Sequence, residues 1–361
     1  MPRVLVAMSG GVDSSVAAGL LAEGSCEVIG VTLNQWPKQL MANSTGGNGC
    51  CTPRTIDDAR RVCHILGIPH YVMDFREEFE QQVIDPWTSA YLAGETPNPC
   101  VMCNRTVRFG SLLNKAAELG ADFVATGHYA RIVRDGSKGQ YRLLAAIDSQ
   151  KDQSYVLHIL GQSQLARVMF PLGQFTKGRV RELASRMNFP VASKPDSQEI
   201  CFVPDNDYVS IVRKKGSSGP GVIEDTEGQK VGDHTGIEAF TLGQRRGLKI
   251  GGGGPPRYVQ RIDAVRNTIT VGTHDQAFAT HLHVRDIHWV SGHDKELPVR
   301  MEVKTRYNMA PEIAHLERKQ VDSATVVFEA PTWAPSPGQS AVFYTGAEVL
   351  GGGTIAETWH A

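Results

Sequence analysis

Two groups of residues in this chain have types and spacings that could do chemistry. The first is Ser9-Gly10-Gly11-Val12-Asp13-Ser14-Ser15. It follows an apolar run, Val4-Leu5-Val6-Ala7-Met8, that predicts a buried parallel strand, and precedes Val16-Ala17-Ala18-Gly19-Leu20-Leu21, which predicts the start of a helix. A strand, a tight turn of small residues and a helix N-terminus make an anion site. The glycines allow close backbone approach, and the unbonded N–H groups and helix dipole favour negative charge. Ser9, Ser14 and Ser15 add hydroxyl donors. The turn has no Gly-Lys-Ser/Thr, so it is not a Walker loop. The chemistry expected of it is nucleotide binding.

The second group is made of thiols. Cys100 and Cys103 stand in Asn98-Pro99-Cys100-Val101-Met102-Cys103-Asn104-Arg105, and Cys201 stands in Asp196-Ser197-Gln198-Glu199-Ile200-Cys201-Phe202. A C-x-x-C reads as a redox pair, half a zinc site, part of an iron–sulfur site or two unrelated thiols. There is no second C-x-x-C, which argues against a four-cysteine zinc site. Pro99 and the polar flanks predict a loop for Cys100 and Cys103, which favours function over packing. Cys201, between Ile200 and Phe202, reads equally well as a buried core thiol. Cys26 and Cys63 are expected to be structural. Cys50-Cys51 follows a Gly/Asn/Ser-rich stretch, and its role stays open; the spacing gives little support to zinc held by Cys50, Cys51 or Cys63.

The elements that must position these groups alternate. Glu27–Leu33, His70–Phe75 and Asp122–Tyr129 read as further strands, and Thr55–Leu66 and Val107–Leu119 as helices. Thr55 and Asp58 have capping-box spacing, with Asp in place of Glu or Gln. This is the α/β pattern of a doubly covered parallel sheet. Ligands of such sheets sit outside the carboxyl ends of the strands, so Ser9–Ser15, Leu33 and Gly127 should meet in one crevice. Near residue 213 the composition changes to Arg213-Lys214-Lys215-Gly216-Ser217-Ser218-Gly219-Pro220-Gly221, which reads as an exposed linker. Beyond it, Val299, Met301, Val303, Thr305 and Tyr307 alternate with Arg300, Glu302, Lys304 and Arg306, a half-buried strand. The expected organisation is a nucleotide-binding domain over 1–208, a small central domain over 209–275 and an antiparallel β-barrel or sandwich over 276–361.

With 361 residues, 41% hydrophobic and 21% charged, the chain has enough apolar material for several cores. The formal net charge of −1 gives no global basic field, so any nucleic-acid site must come from local patches. No run of apolar residues is long enough to span a membrane. Seven cysteines with no secretory signal point to reduced thiols and a cytoplasmic location.

The motifs taken in order are specific. S-G-G-V-D-S-S resembles the PP-loop of the ATP-pyrophosphatase superfamily. It is followed by N-P-C-x-x-C-N, A-T-G-H-Y (Ala125–Tyr129), K-D-Q-S-Y (Lys151–Tyr155), D-S-Q-E-I-C-F, T-L-G-Q-R-R-G-L (Thr241–Leu248) and P-G-Q (Pro337–Gln339). Over nearly its whole length the chain resembles the bacterial tRNA-specific 2-thiouridylases. The resemblance implies a PP-loop domain, a small central domain and a C-terminal β-barrel. It implies transfer of AMP from ATP, with Mg2+, to the C2 oxygen of the wobble uridine, then replacement of that oxygen by sulfur.

By the same resemblance Ala7, Met8, Ser9, Gly10, Gly11, Val12, Asp13, Ser14, Leu33 and Gly127 would contact ATP. Cys201 would carry a persulfide, and Cys103 would attack it to release sulfide or form a disulfide with Cys201. Asn98, Pro99 and Cys100 would meet the target base; some relatives carry Asp where Cys100 stands. Cys100, Cys103 and Cys201 could instead hold a [4Fe–4S] cluster, for which four thiolates are the usual complement. Lys151, Asp152, Gln153, Arg306 and Tyr307 match tRNA-contacting positions. Arg300 and Lys304 on the strand of Arg306, and Arg105, Arg108, Lys177, Arg179 and Arg181, are further phosphate candidates, whereas Arg245-Arg246 suits a domain interface. Thr126 and His128 lie near the crevice with no catalytic role assigned, and His128 reads equally as a fixed imidazole or a participant. The implied partners are glutamate, glutamine and lysine tRNAs and a persulfide or sulfide donor protein, with the enzyme a monomer. The alternatives are a PP-loop ligase acting on a small molecule, and a tRNA-binding relative without turnover.

Overall fold

Strand β1 (Arg3–Ala7) is apolar and buried because it lies inside a parallel sheet, flanked by β2 (Glu27–Asn34) on one side and β4 (Phe123–Ala125) on the other. β3 (His70–Asp74) adds beyond β2 and β7 (Val168–Met169) beyond β4, giving the order β3-β2-β1-β4-β7. The structure, a computed structural model, describes residues 1–37, 52–136, 139–196, 200–203, 206–251, 254–293, 297–320 and 322–360. Cys50 and Cys51 lie outside them. The sheet reverses its order between β1 and β4, and that switch point opens the crevice expected of the α/β pattern.

Helix α1 (Val12–Glu23) begins directly after the phosphate-type turn. Helix α2 (Pro53–Leu66) starts earlier than its spacing predicts. Thr52, not Thr55, is the N-cap, and its hydroxyl accepts from the Thr55 backbone N–H at 3.3 Å, with Pro53 opening the first turn. A helical run from Arg76 to Leu92 was not anticipated. Its buried Phe79, Val83, Trp87 and Tyr91 recur every four residues, a period that the sequence does carry.

The largest correction concerns the cysteines. Cys100 and Cys103 are not in a loop but in helix α3 (Pro99–Cys103), which runs on through a wider π-helical segment, Asn104–Ser111, into helix α4 (Leu112–Glu118). Asn98 caps α3, its side-chain oxygen accepting from Cys100 N at 3.0 Å and Val101 N at 3.4 Å, and Pro99 occupies the first turn. Asn-Pro is a helix-start signal here rather than a loop signal.

After helix α5 (Lys177–Arg186) comes α6 (Tyr208–Lys215). Arg213-Lys214-Lys215 is exposed, as expected, but ends a helix instead of forming a linker. Arg213 donates to Glu238 and Thr235, and Lys215 pairs with Glu80 and Asp85. The central domain is a four-stranded sheet, β10-β11-β8-β9, made by β8 (Gly221–Asp225), β9 (Lys230–His234), β10 (Tyr258–Asp263) and β11 (Thr268–Gly272). Ile223, Phe240, Val259 and Ile269 fill its core.

The C-terminal unit is a closed antiparallel barrel. Its strands are β12 (Phe278–Trp289), β13 (Val299–Lys304), β14 (Glu312–Gln320), β15 (Ser323–Trp333), β16 (Ser340–Thr345) and β17 (Glu348–Trp359). They run in the order β12-β15-β14-β13-β16-β17, and β12–β17 pairing closes the ring. Two strands from the N-terminal part, β5 (Ala130–Arg134) and β6 (Tyr141–Ala145), extend this sheet. β6 pairs with the start of β17 through Leu143↔Val349 and Leu144↔Glu348. Among the described residues no helix is long and apolar enough to cross a membrane.

Candidate active site

The turn between β1 and α1 is braced from inside. Ser9 N–H donates to Ser14 Oγ at 3.1 Å, and the Ser14 and Ser15 hydroxyls donate to Gly11 O at 3.2 and 2.8 Å. Gly10 has φ +68°, and a Cβ there would stand 2.1 Å from Thr55 O, so only glycine lets α2 approach the turn. Met8 is fixed to β2 on both sides of its peptide: its N–H donates to Val31 O at 2.7 Å, and its carbonyl accepts from the Thr32 hydroxyl at 2.9 Å. Gly127, at the tip after β4, lies against the start of α1; a Cβ would be 2.7 Å from Ser14 N. Val31 and Thr32 of β2 and the Gly127 tip thus flank the turn at the switch point, with Leu33 next along β2.

Charge is arranged around this crevice. The Asp13 carboxylate accepts from Lys177 Nζ at 2.7 and 2.8 Å and from the Tyr129 hydroxyl at 2.8 Å. Lys177 also pairs with Asp196 at 2.8 Å, and Asp196 gathers Lys151 and Arg181, each at 2.8 Å. Burial would raise the Asp196 carboxyl, but Lys151 and Lys177 overcome that and hold it low. Lys194 Nζ donates to Gly10 O and to Asp58, both at 2.8 Å. Lys177 and Arg181, phosphate candidates on sequence grounds, are tied into this charged cluster beside the turn, while Arg179 pairs with Glu182 on the surface.

His128 is buried, with Nδ1 2.8 Å from the Thr126 hydroxyl and Nε2 3.5 Å from Arg108. Burial, aided by Arg108, pushes its pKa down to about 3, so the imidazole is neutral at physiological pH.

Cys103 is buried in an apolar cluster with Val101, Val107 and Phe202, and the half-buried Cys201 packs against that cluster. Phe202 anchors the Cys201 segment edge-on to Trp87 and Phe79, with ring centroids 5.1 and 5.5 Å apart. Cys100 is exposed. Gln35, just beyond β2, donates its side-chain N–H to Cys103 Sγ at 3.8 Å. The sequence reading missed Gln35, and nothing local in the sequence marks it. Cys63 is a core thiol, pushed up to about 11 by burial.

Comparison with known proteins decides the family. The profile of the tRNA methyl transferase HUP domain matches residues 2–205. Those of the tRNA methyl transferase PRC-barrel domain and the aminomethyltransferase beta-barrel domain match residues 210–273 and 279–355. The chain is 48% identical over 356 residues to the tRNA-specific 2-thiouridylase MnmA of Heliobacterium modesticaldum, covering 98% of this chain and 92% of that one. It is 47% identical over 359 residues to the namesake of Carboxydothermus hydrogenoformans (98% and 97% covered) and 47% over 360 residues to that of Chloroflexus aggregans (99% of each). The chain belongs to the tRNA-specific 2-thiouridylase family.

In this thiouridylase-family chain the segments matched to tRNA contacts are also structural. Lys151 pairs with Asp196; Asp152 accepts from Ala146 N and Ser154; Gln153 Oε1 accepts from Tyr129 N at 3.0 Å. Of the three, Gln153 ties the loop to Tyr129 in the Gly127 tip, its own N–H also donating to Tyr129 O at 2.9 Å. β13 ends at Lys304, so Arg306 does not share a strand face with Arg300 and Lys304. Its guanidinium reaches inward to Leu242 O at 2.9 Å, to Ala334 O and to Ser336 Oγ at 3.1 Å, while Arg300 pairs with Glu329. Lys304 Nζ lies 5.7 Å from the Tyr307 ring centre. Burial, with Asp152 and Cys100, pushes the Tyr307 hydroxyl up to about 12. A cleft of about 430 Å³ between Gln150, Asp152, Lys304, Tyr307 and Tyr344 opens here. Arg105, Arg245 and Arg246 are exposed.

Two motifs of the thiouridylase family find their purpose in docking. Gly338, φ +88°, lies against the residues before Asn98, with Thr96 N donating to Pro337 O at 2.8 Å and Gln339 Nε2 donating to Thr96 O at 2.6 Å. Thr241 in T-L-G-Q-R-R-G-L receives the Thr96 hydroxyl at 3.5 Å. Among the described residues, no three His, Cys, Asp or Glu side chains gather closely enough to hold a metal ion. Cys100, Cys103 and Cys201 do not gather round a single ion: Cys100 is exposed, Cys103 buried and Cys201 half-buried.

Proposed function

We propose that the protein is a tRNA sulfurtransferase that converts the wobble uridine of glutamate, glutamine and lysine tRNAs to 2-thiouridine, working in the cytoplasm as a monomer. One observation carries the reading: strand β2 joins the two halves of the chemistry. Thr32 on it holds the phosphate-type turn through Met8 O, and Gln35 at its end meets Cys103. Full-length relatedness to enzymes named 2-thiouridylases supports it.

The uracil C2 oxygen is a poor leaving group. ATP would lie along Ala7–Ser14 with its adenosine between Leu33 and Gly127. The turn's N–H groups and Lys177 stabilise charge on the departing pyrophosphate as AMP joins the C2 oxygen. ATP's Mg2+ needs only one or two protein carboxylates beside phosphate oxygens, and Asp13 is the carboxylate at the turn. When bound, that ion supplies charge neutralisation on the phosphates. Asn98, Pro99 and Cys100 would receive the flipped base, with Lys151–Gln153, Arg306 and Tyr307 along the tRNA.

A donor protein supplies sulfur as a persulfide on Cys201. Its outer sulfur attacks C2, forming the C–S bond as AMP leaves with the C2 oxygen. The Cys103 thiolate then attacks the Cys201 sulfur. The S–S bond breaks, its electron pair leaves on the thiouridine sulfur, and a Cys103–Cys201 disulfide forms. An external thiol reductant resets the pair.

The test is conversion of an unmodified glutamate tRNA transcript by purified protein with ATP, read as 2-thiouridine by mass spectrometry. Product is expected with a persulfide donor, and loss of product in Cys103→Ser and Cys201→Ser with ATP-dependent pyrophosphate release retained. Pyrophosphate release that ignores tRNA would overturn the reading in favour of a small-molecule ligase; none at all would leave a binding protein.

A further inference from the structure

We infer that Gln35 is a positioning residue for sulfur transfer: its carboxamide N–H holds the Cys103 sulfur and favours its thiolate. This rests on the thiouridylase reading, in which Cys103 attacks sulfur.

The geometry is specific. Gln35 is 2% exposed and Cys103 is 5% exposed, and they meet at 3.8 Å between Nε2 and Sγ, within reach of an N–H···S hydrogen bond. A carboxamide removed from water must find partners, so its bond to sulfur is not incidental. The thiolate, not the thiol, is the nucleophile, and an apolar setting such as that of Val101, Val107 and Phe202 disfavours charge on sulfur. A donor directed at the charged form offsets that penalty.

Gln35 is also held in place. Phe75 N donates to Asn34 O at 2.9 Å, fixing the peptide just before it. Trp36, just after it, is 2% exposed. β2 itself is paired on both edges, with β1 and with β3. The donor is mounted on the strand that also fixes Met8, so the sulfur and the phosphate turn share one rigid support.

The experiment follows alkylation of the full-length protein by iodoacetamide between pH 6 and 10, with Cys103 resolved from Cys100 by peptide mass spectrometry. In Gln35→Leu the midpoint for Cys103 should rise by about one pH unit, and in Gln35→Glu by more, because a like charge then faces the thiolate. Single-turnover 2-thiouridine formation should fall about tenfold at neutral pH and recover toward wild type at high pH, as a lost thiolate fraction predicts. A purely structural role would lower the rate at every pH. Unchanged midpoints in both variants, with wild-type melting temperatures, overturn the proposal. If Gln35→Leu does not fold, Gln35→Glu, nearly the same shape, decides it alone. A wild-type protein that forms no 2-thiouridine from any sulfur source removes the thiouridylase reading, while the alkylation midpoints still report whether the amide sets the state of Cys103.

Discussion

Gly127 and Ser14 pack backbone to backbone: a Cβ on residue 127 would stand 2.7 Å from the Ser14 nitrogen and 2.8 Å from the Asp13 carbonyl carbon. Ser14 lies in the first turn of α1, and Gly127 lies two residues beyond the end of β4. Gly127→Ala should therefore push the tip away from the phosphate turn. A displacement of this size at a reacting group costs roughly 10²-fold in rate. The check is ATP-dependent pyrophosphate release, with ATP affinity by calorimetry; release at the wild-type rate would refute the tight approach.

Lys177 Nζ bridges Asp13 and Asp196 from a position that is only 12% exposed at the side chain. Lys177→Met should lower pyrophosphate release by about 10²-fold, the usual scale for losing a charge partner of a developing anion. Binding of tRNA without ATP should persist, because Lys177 faces the crevice and not open surface. Filter binding and pyrophosphate release separate the two; loss of tRNA binding alone would restore Lys177 to the phosphate-contact set.

Glu238 is fully buried and receives Arg213, Ser217 and Ser218. Burial alone would raise its carboxyl, but these hydrogen bonds win and hold it at about 2, below the ordinary 4.5. A folded-state value below the unfolded one means stability present above about pH 4.5 and lost as pH falls toward 2, roughly 3 kcal/mol in all. Melting temperature should fall through that window in wild type, and Glu238→Gln should be less stable at pH 7 with a flatter acid limb. A parallel acid limb would refute the assignment.

Gly338 combines φ +88° with a would-be Cβ contact of 3.0 Å to Thr96 N. Gly338→Ala should cost about 1–3 kcal/mol. It should also free the Glu95–Pro97 stretch for protease cleavage, because Thr96 loses its barrel partner. Limited proteolysis with fragment mass reports this; an unchanged cleavage pattern would show that the stretch holds itself.

The sequence made β1, the turn and α1 legible because they are contiguous and follow local rules. The cysteine helix was misread because Asn98-Pro99 looks like a loop signal until the cap is seen, and the π-helical Asn104–Ser111 breaks the 3.6 period. The barrel was legible from alternation in Val299–Lys304. The hub at Asp196 was not, since Lys151 reaches it from one segment and Lys177 and Arg181 from another, on α5. Gln35 was invisible for the same reason: its partner lies 68 residues away.

The β5–β6 hairpin has a consequence for how the chain is made. Arg142 on β6 pairs with Glu348, 206 residues later, and Leu143 pairs with Val349. A ribosome releases the nucleotide-binding sheet complete, yet leaves the outer edge of β6 bare until the last strand emerges. An unpaired edge is a template for a neighbouring chain. Synthesis of the C-terminal barrel is thus also the step that hides the N-terminal domain from its own copies on a polysome, and a nascent chain stopped before residue 348 is the species most exposed to aggregation.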